Sequence, residues 1–190
     1  STLAGLAGSH ATTDGVGTAA RFFYPSGIAV DYAGILYVSD TFNHTIRKIT
    51  SDGTVSTLAG FPGSGGAADG TGTVARFSYP EELAVDSIGN VYVADNNNSI
   101  IRKITSAGAA STLAGLSGHI GNTDGNGGTV RFKFATGLAI DSTGNLFVAD
   151  NGNSTIRTTR QVGKSEQLIT FAPLPDKSAG DAPFTLTASA

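Results

Sequence analysis

Three short clusters of carboxylate and amide side chains recur along this sequence, and they are the residues best suited to bind a ligand. Each cluster starts with an Asp that directly follows an apolar run, and Asn residues follow within three positions. The candidate ligand- or partner-binding residues are Asp40, Phe42, Asn43, His44, Asp95, Asn96, Asn97, Asp150, Asn151 and Asn153. Their oxygen atoms suit a hard cation such as calcium. The same side chains also cap tight turns by accepting backbone N–H groups, and repetition in every cluster favours this structural role.

Phe42 stands apart from the polar residues around it. It has no aromatic equivalent in the other two clusters, which read DNNNS and DNGNS. An aromatic side chain at a loop tip does not make a turn, so Phe42 is the strongest candidate for contact with a ligand. The two polar clusters lack the spacing and the closing Glu of a calcium-binding loop. We therefore predict no cofactor, with calcium as the weaker alternative.

The residues needed for catalysis are few. The chain has no Cys, which excludes disulfides, thiolate zinc sites and cysteine nucleophiles. Its three His residues, His10, His44 and His119, do not share a repeat position. The sequence therefore predicts that the protein is not an enzyme and that it has no metal site.

These clusters lie on a pattern of short strands separated by turns. Apolar runs at Ile28–Val30, Ile35–Val38 and Thr45–Ile49 are rich in β-branched and aromatic residues, and a fourth run covers Thr54–Gly60. Gly, Asp and Asn punctuate the runs, which is typical of an antiparallel meander. The turns between the second and third strands should share one rim with the long connections between sheets. The candidate residues are therefore expected on that rim.

The whole pattern repeats every 55 residues without insertion, as STLAG shows by beginning at Ser1, Ser56 and Ser111. The repeat also carries an arginine within the third strand, and these residues are Arg47, Arg102 and Arg157. An unpaired charge in that place is costly, so each is expected to bind a repeated Asp or strand-end carbonyls. An anion-binding ring near a central axis is the alternative. Four-stranded units of this size indicate β-propeller blades.

The repeats resemble the NHL-repeat propellers. The resemblance lies in GIAVD–GILYVSD–NHTIRKIT, LAVD–GNVYVAD–NSIIRKIT and GLAID–GNLFVAD–NSTIRTTR, with the Asn-His pair literal at Asn43 and His44. It implies an all-β fold of four-stranded antiparallel blades, here three of a six-blade ring. Members of that family include protein and RNA binders, sensors and a lyase. The lyase holds zinc through His, and no repeated His position reproduces this here. The net charge of −3 and the low content of charged residues, 14%, argue against nucleic acid.

The domain boundaries follow from the repeat. Residues 1–160 are predicted to be propeller blades, and 161–190 resemble a linker and the truncated opening strands of a bacterial immunoglobulin-like module. The predicted blade segments are about 25–60, 80–115 and 135–170, with 1–5 as a lone outer strand. Whether 165–171 completes the third blade or begins the next module stays open. Because the chain begins within a repeat and without Met, we expect a piece of a longer or processed protein, or a half-ring that pairs with a second copy.

The expected function is a non-catalytic interaction, adhesion or assembly module of a larger secreted or cell-surface protein of bacterial origin. A ligand-binding sensor for a glycan, a peptide or calcium is the alternative, and a metal-dependent lyase-type enzyme is the least favoured one. Three blades leave two apolar flanks to be covered, so the expected partner is a protein, either a second copy or further blades, joined through 1–5 and 165–171. No apolar run is long enough for a membrane span.

Overall fold

The computed structural model describes residues 1–159, which form one compact unit. The predicted immunoglobulin-like segment 161–190 and the strand at 165–171 lie outside the described residues. The strands are β1 (Gly15–Val16), β2 (Pro25–Val30), β3 (Leu36–Asp40), β4 (Thr45–Ile49), β5 (Thr54–Ala59), β6 (Gly70–Thr71), β7 (Pro80–Val85), β8 (Val91–Asp95), β9 (Ile100–Ile104), β10 (Ala109–Ala114), β11 (Ala135–Ile140), β12 (Leu146–Asp150) and β13 (Thr155–Thr158). The short 3-10 helices are Gly17–Ala19, Thr41–Asn43, Gly72–Val74, Asn96–Asn98, Gly127–Thr129 and Asn151–Asn153.

The strands form three antiparallel sheets, one for each repeat. The first has the order β1-β5-β4-β3-β2, the second β6-β10-β9-β8-β7, and the third β11-β12-β13. The predicted all-β propeller fold is confirmed. The two-residue strands β1 and β6 were not predicted. Each comes from the long connection that precedes its sheet, and it pairs with the outermost strand of the blade.

The three blades stand side by side, with β7 packed between β2 and β11. The first two inner strands approach so closely that Gly27 has no room for a side chain. A Cβ atom there would lie 2.4 Å from the carbonyl oxygen of Glu81. The backbones of neighbouring blades therefore meet directly near the axis, where the first strand of each blade lies.

The apolar core lies between blades rather than inside one sheet. Ile46 of the first blade packs with Phe77 and Leu83 of the second. Ile101 of the second packs in the same way with Phe132 of the third. A single four-stranded sheet cannot bury its own apolar face, so each blade depends on its neighbour for stability.

Residues 1–5 form no strand in this structure. The Gly5 N–H donates to the Gly17 carbonyl at 3.0 Å, and the Gly60 N–H bonds the Gly72 carbonyl in the same way at 3.1 Å. Gly5 therefore occupies the position that Gly60 has at the end of β5, and it makes the same backbone bond to the connection that follows it. Pairing of this segment with another blade stays a prediction. Among the described residues, no helix is long and apolar enough to cross a membrane.

Candidate binding surface

The second-to-third strand turns and the two ends of each inter-blade connection share one rim, as the sequence predicts. The middle of a connection instead reaches the turn before the outer strand, where the Gly17 N–H donates to the Gly53 carbonyl at 2.9 Å. We call the shared rim the loop rim, and its segments are residues 6–14, 20–24, 41–44, 61–69, 75–79, 96–99, 116–124, 130–134 and 151–154. Side-chain bonds join a turn to the connection before its blade: Asn43 Nδ2 donates to the Ala11 carbonyl at 2.7 Å. Asn98 makes the equivalent bond to the Gly66 carbonyl at 2.7 Å. The turns are thereby fixed in place relative to the connections.

The three predicted aspartates of the loop rim, Asp40, Asp95 and Asp150, are completely buried. Asp40 Oδ1 accepts the Phe23 N–H at 2.7 Å, and its Oδ2 accepts Asn43 Nδ2 at 2.8 Å. Asp95 and Asp150 bond the equivalent groups in their own blades. These carboxylates have no exposed surface for a ligand, and they hold the turn to the connection. They therefore have the structural role described above, in which an Asp side chain caps a turn by accepting backbone N–H groups.

The buried carboxylates also pair with the repeated arginines. Arg47 Nη1 lies 2.7 Å from Asp40 Oδ2, and Arg47 Nη2 lies 2.5 Å from Asp14 Oδ1. The guanidinium further donates to the Thr13 and Arg21 carbonyls and lies over the Phe22 ring. The second and third blades repeat this set around Arg102 and Arg157. The predicted pairing is confirmed, and an anion-binding ring does not form because these strands lie away from the axis.

Burial affects the acidity of these carboxyl groups. Loss of solvent raises the pKa of Asp95 to about 6, although Asn98, the Ser78 N–H and Arg102 favour the charged form. Burial also raises the pKa of Asp40, against the same kinds of donor. With a pKa of about 6, Asp95 is ionised at neutral pH, and both carboxyl groups lie within ion-pair distance of their arginines. They therefore act as structural ion pairs rather than as proton donors.

Some of the predicted asparagines bond backbone carbonyls of the connections or of the next blade, and others are exposed to solvent. Asn43 is buried, and Asn153 donates to the Gly121 carbonyl at 2.6 Å. Asn96 crosses between blades, with its Nδ2 3.1 Å from the Ala135 carbonyl. Asn97 and Asn151 are exposed, and Asn97 Nδ2 bonds Ser78 Oγ at 3.1 Å. Asn96 and Asn153 are half-buried, so Asn97 and Asn151 are the asparagines of this set most open to a partner.

Phe42 lies at the centre of a group of aromatic rings that the sequence did not reveal. We call this group the aromatic surface, and its members are His10, Phe23, Tyr24, Phe42, His44 and Tyr79. The Phe42 ring lies 4.7 Å from that of Tyr24, 5.3 Å from Phe23 and 5.3 Å from Tyr79. His10 stacks on Phe23 at 4.5 Å, and His44 meets Tyr79 edge-on at 4.7 Å. The rings therefore form one continuous surface across the first two blades.

The aromatic surface is open to solvent. Tyr24 is 68% exposed, Phe42 43% and Tyr79 39%. Tyr24 and Tyr79 both have a φ of 51°, a left-handed conformation that costs free energy for a bulky side chain. Phe134 shares this φ and this repeat position, but no ring contact joins it to another described aromatic residue. The repeated aromatic residue before each inner strand was the sequence signal that could have revealed this surface.

His44 links two blades at the edge of the aromatic surface. Its Nδ1 accepts the Tyr79 N–H at 3.1 Å, so the neutral ring carries its proton on Nε2. Burial lowers the pKa of His44, which keeps the ring neutral. A proton on Nδ1 would break this bond.

The opposite rim carries a cavity of about 430 Å³ near the axis. Its lining includes Asp31, Asp86, Asp141 and the exposed Tyr32. Each of these aspartates accepts backbone N–H groups of its own turn, as Asp31 Oδ1 does from Ala33 and Ile35. Within residues 1–159, no group of three or more His, Asp or Glu side chains is arranged to hold a metal ion.

Comparison with known proteins agrees with this architecture. The family model of the NHL repeat matches residues 77–104 and 132–158, which are the first three strands of the second and third blades. The chain is 40% identical over 92 residues to the chloroplast protein SUPPRESSOR OF QUENCHING 1 of Arabidopsis thaliana. That match covers 48% of this chain and 9% of the plant protein, so the chain spans less than a tenth of that relative.

Solved structures show the same fold. An auxiliary nutrient binding protein from Bacteroides thetaiotaomicron superposes with a TM-score of 0.62 at 24% identity, over 69% of this chain and 36% of that one. A putative phosphatase from the same organism gives a TM-score of 0.65 at 25% identity, over 74% of this chain and 35% of that one. The described residues are therefore an all-β arrangement of β-propeller blades that carries NHL repeats.

Proposed function

We propose that this chain is a non-catalytic binding module of a larger secreted or cell-surface protein, and that it contacts its ligand through the aromatic surface. The observation that carries this proposal is the continuous contact of exposed rings around Phe42. Aromatic residues are enriched in binding interfaces because they bury a large area at a low cost in side-chain entropy.

The setting of the rings supports the same role. They lie on loops whose positions are fixed by buried bonds, such as that between Asn43 and Asp40. Binding residues are commonly placed on loops that a rigid scaffold positions.

The proposal is tested by array binding with the 190-residue chain, on glycans and on synthetic peptides in parallel. We expect binding to at least one array, and loss of that binding in Phe42→Ala. Because one structural neighbour is a putative phosphatase, turnover of p-nitrophenyl phosphate is measured alongside. Turnover, silence on both arrays, or binding that survives in Phe42→Ala would contradict the proposal.

Assembly through the blade flanks is a second candidate function, and the exposure of Ile156 favours it. Ile156 is 74% exposed, whereas its repeat equivalents Ile46 and Ile101 are buried by the blade that follows each of them. On the other flank Ile28 is 61% exposed, whereas its equivalent Leu83 is buried. These flanks are the two halves of the same blade-to-blade contact. We therefore assign them to another blade, from a longer parent chain or from a second copy.

Calcium binding stays the weaker alternative to the prediction of no cofactor. Neither the aromatic surface nor the blade flanks require a bound calcium ion. The buried aspartates already accept several hydrogen bonds each, so a calcium site would have to use other oxygens of the loop rim. Thermal unfolding with calcium and with a chelator tests this directly. An unchanged Tm would remove calcium from the account.

A further inference from the structure

The ligand class can be narrowed from the shape of the aromatic surface. Neighbouring ring centroids lie only 4.5–5.5 Å apart, so the rings pack against one another. No space is left between them for a quaternary ammonium group, which needs an aromatic cage. A proline-rich peptide also needs a groove between aromatic ridges. The ligand must instead lie on top of the rings.

The polar atoms of the aromatic surface lie at ring edges. The hydroxyl groups of Tyr24 and Tyr79 make no hydrogen bond to any described residue. His44 uses Nδ1 for the Tyr79 N–H, so its Nε2 carries the proton of the neutral ring. The ring planes are inclined to one another, by 41° between Tyr24 and Phe42 and by 86° between Phe42 and Tyr79. The surface therefore presents separate apolar ring faces, with donors and acceptors at their edges.

Among residues 1–159, no Lys or Arg side chain lies over a ring of the aromatic surface. The Lys and Arg side chains that lie over rings in the described residues do so elsewhere, on Phe22, Phe61, Phe77, Tyr92 and Phe132. Arg21 bonds Ser9 beside His10, but its guanidinium also donates to the Thr18 and Ala20 carbonyls. A phosphorylated or sulfated ligand would therefore find no unengaged cation over these rings. The surface therefore suits an uncharged ligand.

We propose that the aromatic surface binds an uncharged saccharide chain, whose sugar rings stack on Tyr24 and Phe42 and whose hydroxyl groups bond the hydroxyl of Tyr79. This inference rests on the proposed function and names its ligand class. A pyranose matches the surface because its C–H face is apolar while its rim is hydroxylated. Unbroken ring contacts from His10 to His44 suit several sugar units rather than one.

The test is saturation-transfer NMR on the full chain with neutral hexasaccharides of glucose, xylose, mannose and N-acetylglucosamine. We expect at least one to bind, and Tyr24→Asn to weaken that binding by about tenfold or more. Asn tolerates the left-handed backbone, so this variant removes the ring while keeping the turn. Phe134→Asn is the matched control, because Phe134 has the same φ and repeat position outside the aromatic surface.

The outcomes separate this inference from the proposed function. Binding that is lost in Tyr24→Asn and Phe42→Ala but kept in Phe134→Asn supports the saccharide. Binding of none of the hexasaccharides, or equal binding by Tyr24→Asn and wild type, overturns it. If peptides bind through Phe42 while the hexasaccharides do not, the saccharide inference fails and the proposed function stands. A far-UV circular dichroism melt of each variant confirms that it is folded.

Discussion

Ile101 and Ile156 hold the same position in successive blades, yet Ile101 is fully buried and Ile156 is 74% exposed. The difference arises because the third blade packs on Ile101, while no blade covers Ile156 within residues 1–159. An apolar flank of this kind is a site of association. Exposure of this flank therefore predicts that the 190-residue chain associates with itself.

We expect the chain to self-associate in light scattering, and we expect Ile156→Asp to reduce the measured mass to that of one chain. A charge in an apolar contact must lose its water, which disfavours association. Ile120→Asp is the matched control, since Ile120 is an exposed isoleucine on a connection rather than on a flank. A wild-type chain that stays at the mass of one copy and does not bind a hydrophobic dye would contradict assembly through the flanks.

Arg102 pairs with two carboxylates, Asp95 and Asp69, whose contributions to stability can be compared directly. Asp95 is fully buried, whereas the side chain of Asp69 is 55% exposed. We expect Asp95→Asn to lower the free energy of unfolding by about 3 kcal/mol, because it leaves a buried guanidinium poorly compensated. Asp69→Asn should cost about 1 kcal/mol or less, as solvent screens that pair. Urea unfolding measures both, and equal costs would show that burial does not govern these pairs.

The bond from Tyr79 to His44 predicts a pH dependence of stability. Because burial lowers the pKa of His44 below its unfolded value of 6.5, the folded state binds fewer protons between those two pKa values. The contribution of His44 to the free energy of unfolding is therefore complete above about pH 6.5, and it decreases as the pH falls toward the folded pKa. The raised pKa of Asp95 acts in the opposite direction between 3.8 and about 6.

A comparison of variants isolates the histidine effect from that of Asp95. His44→Asn keeps a residue that tolerates the left-handed backbone and removes the titrating ring. We expect the difference in unfolding free energy between wild type and His44→Asn to shrink as the pH falls below about 6.5. His119→Asn leaves the Tyr79 bond intact and should keep the wild-type profile. A constant difference between wild type and His44→Asn at all pH values would contradict this account.

Much of the fold was predictable because each strand is a short apolar run between turn residues. The run at Thr45–Ile49 matches β4, and the pairing of its arginine with repeated aspartates followed from the cost of an unpaired charge. The outer strand β1 was not predictable, since Gly15 and Val16 have no strand pattern and pair with β5, which lies about 40 residues further along the chain. The local alternation of apolar and polar residues cannot reveal that two short segments distant in sequence pair with each other.

The candidate site was predictable only in part. Phe42 was singled out because it does not recur, and it is the centre of the aromatic surface. Asp40 shared its turn but lies buried, because its carboxylate faces the arginine rather than solvent. Tyr24 and Tyr79 were missed, as their meeting with Phe42 depends on how adjacent blades pack. The repeated aromatic residue before each inner strand marks the positions of these rings, but its spacing does not show that they meet Phe42.

The central claim, that ligands bind on the aromatic surface, is tested most directly by NMR of the chain labelled at Phe and Tyr rings. The labelled chain is titrated with whichever array ligand binds. We predict shifts in the ring signals of Phe42, Tyr24 and Tyr79, with Phe134 and Tyr32 unchanged. Shifts confined to Tyr32, on the cavity of the opposite rim, would contradict the account.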